Sequence, residues 1–268
     1  MSKYLHVLNI GVQNTLVYRV NFLVRACFGL IPLTATLFMW QAIYAGKGAG
    51  GNVEGYLYGQ MVSYYLIVTI VDGLTAVAED DWQIAADIKD GNISQFLLKP
   101  IDYLSYRLTL YCGGRMIYSA FALIPIAIFI YFKREFLELP ADAGTMGLFL
   151  ISTLLAGLLQ FFISYTMALL AFWVMEVSTF IFILFAFEAL AGGQLFPLDI
   201  LPRGVQEVLR YTPFPYEMFF PVSIYLGRAQ GAELIGGLAM QTVWVGVAYL
   251  TARLVWRRGI RRYTASGG

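Results

Sequence analysis

The sequence predicts an all-α membrane protein with six transmembrane helices, an interfacial helix before the first and a re-entrant segment before the last. Three observations carry this. Hydrophobic residues make up 59% of the 268-residue chain and charged ones 13%, whereas soluble domains carry roughly 45–50% and about 25%. The charges are also segregated: none falls from Ala26 to Gly46, Gly55 to Val71, Met116 to Phe132, Ala143 to Met175 or Leu234 to Ala252. Each run reaches or approaches the about 20 apolar residues that a spanning helix needs. Finally, five of the nine prolines (Pro197, Pro202, Pro213, Pro215, Pro221) fall in one late segment that nevertheless stays apolar and aromatic.

Residues 1–23 mix polar and apolar side chains. They lack the short apolar core and small-residue cleavage site of a signal peptide, and they read as an amphipathic helix lying along the membrane surface. Spans are expected at about 24–45, 56–78, 104–132, 144–174, 178–198 and 233–255. The run from Ala143 to Met175 exceeds one span, so its helix must be extended or tilted. Glu176, Glu188 and Asp199 interrupt the fifth span. With six spans both termini share a side, and short cytoplasmic loops hold an excess of Lys and Arg. Termini inside places twelve such residues in the cytoplasm against six outside (Lys47, Lys133, Arg134, Arg203, Arg210, Arg228). The tail RLVWRRGIRRY is the strongest anchor for that orientation.

Cys27 and Cys112 form no disulfide framework, and His6 has no second histidine with which to share a metal. No metal site and no catalytic set is expected. There is no Ser/His/Asp group, no H-E-x-x-H and no pair of aspartates at matching membrane depth. The net charge of +1 favours no particular partner, and nothing points to nucleic acid.

The segment EDDWQIAADIKDGNISQFLLKPID, 79–102, is acidic and half-amphipathic between two apolar runs. Ile84 and Ile88 are four apart, and Ile93, Phe96 and Leu97 fall at i, i+3, i+4, so each set lines one helical face. Gly91 can end a first helix, Asn92 can cap a second, and Lys99-Pro100 stops it. Lipid-binding amphipathic helices carry Lys and Arg on the polar face, and an acidic face is repelled by an anionic leaflet. A protein partner suits this segment better than lipid alone.

In FEALAGGQLFPLDILPRGVQEVLRYTPFPYEMFFPVSIYLG, 187–227, Gly192-Gly193 ends or kinks the fifth span, and Pro197 and Pro202 prevent a continuous helix. Irregular backbone at membrane depth survives only when buried in protein or lining a wet cavity. Short re-entrant helices dipping into the outer leaflet are therefore expected.

The Gly-Gly followed by FPLDILP, and TPFPYEMFFPVSIYLG before a final span, resemble ABC-2 type permeases, the membrane subunits of many ABC exporters. The stretch GNISQFLLKPID is similar to a compact six-span branch often encoded as paired, homologous permeases. The resemblance covers nearly the whole chain and implies one permease domain, 1–268. Its parts are an interfacial helix (1–23), spans one and two (24–78), a coupling region (79–103), spans three to five (104–198), a re-entrant hairpin (199–232), span six (233–255) and a cytoplasmic tail (256–268). It also implies an exporter in the bacterial inner membrane. Two copies of a separate ATPase subunit would bind ATP and Mg, and a second permease, identical or homologous, would complete the pathway. Consistently, the chain has no G-x-x-x-x-G-K-[S/T]; the Gly-rich AGKGAGGN at 45–52 lacks the following Ser/Thr and the strand-to-helix setting. This chain is expected to bind no cofactor itself.

The resemblance makes 79–103 the coupling helix seated in a groove of the ATPase. The residues assigned to coupling are Asp81, Trp82, Ile84, Asp87, Ile88, Asp90 and Phe96, with Asp80 also on the acidic rim. Glu188, Gln194 and Phe196 are candidates to line the pathway, because a charge within a span tends to face a cavity or a partner. Structural roles for Glu188 are to bond backbone freed at the Gly192-Gly193 kink or to sit protonated against a neighbouring span. Asp72 is expected near the interface. A rival reading is a proton-coupled secondary transporter that uses Asp72 and Glu188, although such transporters usually show internal repeats and none is visible here.

Overall fold

The computed structural model describes residues 2–47, 51–77 and 80–263, with the side chains of Ser2, Asp80 and Asp81 left aside. The helices are α1 (Ser2–Val17), α2 (Arg19–Gly46), α3 (Tyr58–Thr75), α4 (Asp80–Lys89), α5 (Ile93–Leu97), α6 (Tyr103–Phe132), α7 (Ala143–Ala168), α8 (Ser178–Ala191), α9 (Arg203–Arg210), α10 (Phe219–Tyr225) and α11 (Gly231–Arg262). Short 3-10 turns lie at Arg134–Phe136, Leu169–Phe172, Leu198–Ile200 and Phe214–Tyr216. No named β-strand occurs among the described residues.

Among the described residues four helices are long and apolar enough to cross a membrane: Arg19–Gly46, Tyr103–Phe132, Ala143–Phe172 and Gly231–Arg262. The two other expected spans are shorter than the sequence suggested. α3 has 18 residues, about 27 Å at 1.5 Å per residue, because Ala76 turns out of the helical region (φ −52, ψ 135). α8 has 14 residues, about 21 Å, well under the roughly 30 Å of a hydrocarbon core. Its end is set by the two glycines.

Burial explains the difference for α3. Every residue from Met61 to Val68 is buried, and a helix that is apolar all round belongs inside a bundle. α7 is the other central helix, with Ala156, Leu159 and Phe161 fully enclosed. α2 and α6 pack beside α3, while α10 and α11 lie on α7. α1 stops at Val17 and α2 begins at Arg19, so the interfacial helix is shorter than the expected 1–23. It is also bound to protein, lying against α6. Gly113 on α6 permits the approach, since a Cβ there would come within 3.1 Å of Leu8 Cδ1. Lys3 Nζ donates to the Pro100 carbonyl at 2.7 Å.

Each end of the bundle is tied by an acid. Asp102 caps α6, accepting from the Ser105 N–H at 3.0 Å, and pairs with Arg253 of α11 at 2.5 Å. Burial works to raise the Asp102 carboxyl, but hydrogen bonds from Arg253 and Ser105 outweigh it and hold the group below the usual aspartate range. At the other end Asp199 Oδ2 accepts from the Tyr56 hydroxyl at 3.0 Å and from Arg228 Nε at 3.0 Å. The Arg228 guanidinium lies 3.8 Å from the Tyr56 ring centroid. This triad holds the proline-rich segment onto the loop before α3. The segment itself is irregular, as its prolines require, and α10 is core: Phe220, Val222, Ile224 and Tyr225 are buried.

Candidate functional site

The kink between α8 and α10 makes the site. Gly193 adopts φ +90, and a Cβ there would lie 2.8 Å from both Phe219 Cβ and the Tyr64 hydroxyl. At Gly192 a Cβ would stand 2.4 Å from the Glu188 carbonyl oxygen. Only glycine fits both positions. Freed carbonyls find donors on α3: the Tyr64 hydroxyl donates to Gly193 O at 2.5 Å and the Tyr65 hydroxyl to Leu195 O at 2.6 Å. Trp40 Nε1 donates in turn to the Tyr65 oxygen at 2.9 Å. The Phe219 N–H closes the knot on Gly192 O at 2.9 Å.

Beneath this kink lies a cavity of about 220 Å³. Its polar lining comes from four places: Asp72 on α3, Gln160 and Ser164 on α7, Glu188 at the end of α8 with Gln194 just past it, and Glu217 before α10. Val77, Phe185 and Met218 supply apolar wall. Glu217 is 2% exposed. It is carried on a pinned turn: its own N–H donates to Phe214 O at 3.0 Å, and the preceding Tyr216 carbonyl accepts from Gln241 Nε2 of α11 at 2.8 Å. Gln241 also donates to Ser152 O at 2.9 Å and accepts from the Ser152 hydroxyl at 2.9 Å. A fully buried polar network therefore joins α7, α11 and the turn that carries Glu217.

Of the pathway residues expected from sequence, Glu188 and Gln194 reach this cavity and Phe196 is not on its wall. Asp72 joins them on the cavity wall. Glu217 was missed. Its signal was present, as the sole charged residue between Arg210 and Arg228.

The 79–103 region forms the two short helices expected, but several side chains point elsewhere. Ile84 and Ile88 are 1% and 5% exposed, and both belong to the chain's own core. Asp87 faces inward as well: the Tyr103 hydroxyl donates to it at 2.8 Å and Arg107, itself buried, pairs with it at 3.7 Å. Phe96 packs on Tyr103 and Tyr106 of α6, with centroids at 5.2 and 5.0 Å. Ile84, Ile88 and Asp87 are corrected from partner contacts to internal contacts, because α4 rests on α7 and the 3-10 turn after it, whereas Phe96, on α5, is only half-buried. Trp82 and Asp90 are exposed, as are Leu97 and Leu98, the latter 88% exposed. The side chain of Asp81, like that of Asp80, lies outside the described residues.

Four helices long and apolar enough to cross a membrane among the described residues, with a polar cavity lined from α3, α7, α8 and the turn before α10 and a glycine-kinked, proline-rich segment, fit a multi-pass membrane transport protein. The sequence model of the family described as ABC-2 family transporter protein matches residues 30–267, and the chain belongs to that family. It is an ABC-2 type permease, a membrane component of an ABC transporter; permeases of this family work with ABC ATPase subunits. No match is found among curated proteins.

Proposed function

We propose that this chain is the membrane-spanning half of an ATP-driven exporter in the bacterial inner membrane, with both termini and the 79–103 region in the cytoplasm. Two copies of a separate ATPase subunit bind ATP and Mg, and a second permease, identical or homologous, completes the pathway. The observation that carries this reading is the two-faced construction of α4 and α5. One face is locked into the body through Ile84, Ile88, Ile93 and the Asp87–Arg107 pair. The other presents Asp90, Leu97 and Leu98 outward. A handle fixed on one side and free on the other transmits displacement. α7 receives it directly from α4, and α7 also places Gln160 and Ser164 on the cavity.

The test is replacement of Leu97 and Leu98 by aspartate. Burying a leucine against a partner is worth about 1.5–3 kcal/mol, so co-purification of the ATPase with the double variant should fall by more than tenfold while membrane insertion is unchanged. Assembly at the wild-type level would remove these residues from the interface. Labelling of a thiol introduced at Asp90 in a cysteine-free background checks the orientation: modification in intact cells by an impermeant reagent contradicts it. A proton-coupled transporter is the second reading, favoured by Asp72 and Glu188 sharing one cavity. Export from vesicles driven by a pH gradient without ATP would establish it.

A further inference from the structure

Among the described residues the charged groups on the 220 Å³ cavity are all acids: Asp72, Glu188 and Glu217. Their surroundings differ. Arg115 exerts its field on Asp72, whereas the charged group that acts on Glu217 is Glu188, another acid. Glu217 is 2% exposed, lines the cavity, and its Oε1 makes no hydrogen bond within the chain. The turn carrying it is held by Gln241 and by the Phe219–Gly192 bond, which fixes the backbone from which the carboxyl reaches the cavity.

Ionising a buried carboxyl costs several kcal/mol when its charge is not compensated, and one facing a second acid costs more. Such an arrangement persists where a positive charge arrives from outside. A metal ion does not match the donors, because no three His, Cys, Asp or Glu side chains converge for one among the described residues. An organic cation matches better, since an ammonium or guanidinium reaches acceptors that are further apart. Whole drug-sized ligands occupy about 300–1,000 Å³, so 220 Å³ takes a head group and a short apolar stem. Phe185 and Met218 offer that stem an apolar wall, and both can contact a cation, the ring through its face and the thioether by its polarisability.

We infer that this cavity binds the cationic head, an ammonium or guanidinium group, of an amphipathic organic molecule, with Glu217 as its main counter-charge and Glu188 beside it. The inference rests on the permease reading and names the substrate class of its pathway. Gln160, Ser164 and Gln194 supply acceptors for the remaining N–H groups.

The test uses the purified chain alone in detergent, without any ATPase. Dicyclohexylcarbodiimide, an apolar reagent, adds to protonated carboxyls in apolar sites to leave an N-acylurea, read at the Glu217 peptide by mass spectrometry. With n-octylammonium as probe, labelling of Glu217 should slow at least about tenfold, a difference of 1.4 kcal/mol. Octanol and octyl sulfate at equal concentration should protect less than twofold. In parallel, octylammonium should raise the melting temperature of the wild type and not of Glu217→Gln. Absent protection means that the acid pair simply keeps a proton, and equal protection by octanol means apolar partition; either result overturns the inference. The wild-type labelling result stands even if the variant does not fold. Failure here leaves the Leu97/Leu98 assembly test untouched, and failure of that test leaves this one intact.

Discussion

Gln241→Leu is the most informative single perturbation of the fold around the site. The glutamine is fully buried and makes three hydrogen bonds, to the Ser152 carbonyl, the Tyr216 carbonyl and from the Ser152 hydroxyl. Interhelical side-chain hydrogen bonds in membranes average about 0.6 kcal/mol and reach about 1.7, so their joint loss should destabilise the chain by about 2 kcal/mol and by no more than about 5. Leucine matches the glutamine approximately in size, so packing adds little. The assay is reversible unfolding in mixed micelles, with Thr242→Leu as control. Thr242 is exposed and bonds only to the carbonyl one turn back, Leu238, at 2.8 Å. The control should change by under about 0.5 kcal/mol, as surface substitutions do. Because the Tyr216 carbonyl would also lose its donor, Glu217 should react faster with a carbodiimide in the variant. A Gln241→Leu protein as stable as the control would refute the claim that this network holds α7, α11 and the Glu217 turn together.

Two further outcomes follow from the same geometry. Gly193→Ala should cost about 2–5 kcal/mol, the sum of about 1–2 for a left-handed non-glycine residue and about 1–3 for overpacking against Phe219 and Tyr64, read as a loss of folded protein in a thermal scan; Gly204→Ala, where a Cβ meets nothing within 4 Å, should be neutral. Asp102 is held below its usual range by Arg253 and Ser105 despite partial burial. Its contribution is therefore present above the unfolded aspartate value, about 3.9, and is lost as pH falls through the lower folded value. The pair is 30% and 34% exposed, so screening limits it to under about 1 kcal/mol. The stability gap between wild type and Asp102→Asn should close below roughly pH 4; a gap that widens on acidification would contradict the assignment.

Much of the candidate site could be read before any coordinates existed, but not its composition. Glu188 and Gln194 stood beside a glycine pair that had to break a helix, and the cavity does lie under that break. Glu217 carried a comparable signal, a lone charge in an aromatic run, yet nothing local connects it with Glu188, 29 positions earlier, or with Asp72 on another helix. The spacing of Ile84 and Ile88 correctly put them on one face. Periodicity states which residues share a face and is silent on what covers it, so a face assigned to another subunit turned out to be covered by α7. In the same way Asp87 looked like part of an acidic rim until Arg107 and Tyr103, from the next helix, were found beside it.

By itself the sequence determined that the chain is helical and lives in a membrane, and that the backbone must break at Gly192-Gly193. Those are consequences of solvent and of local sterics, since a bilayer excludes charge from whole runs of residues and a Cβ clashes wherever it is attached. Only the tertiary structure decided that α3 is an enclosed core helix and α8 a short one, which face of α4 packs into the body, and that three acids from distant segments share one cavity. Those depend on contacts between residues far apart in the chain, and such contacts leave no periodic trace along it.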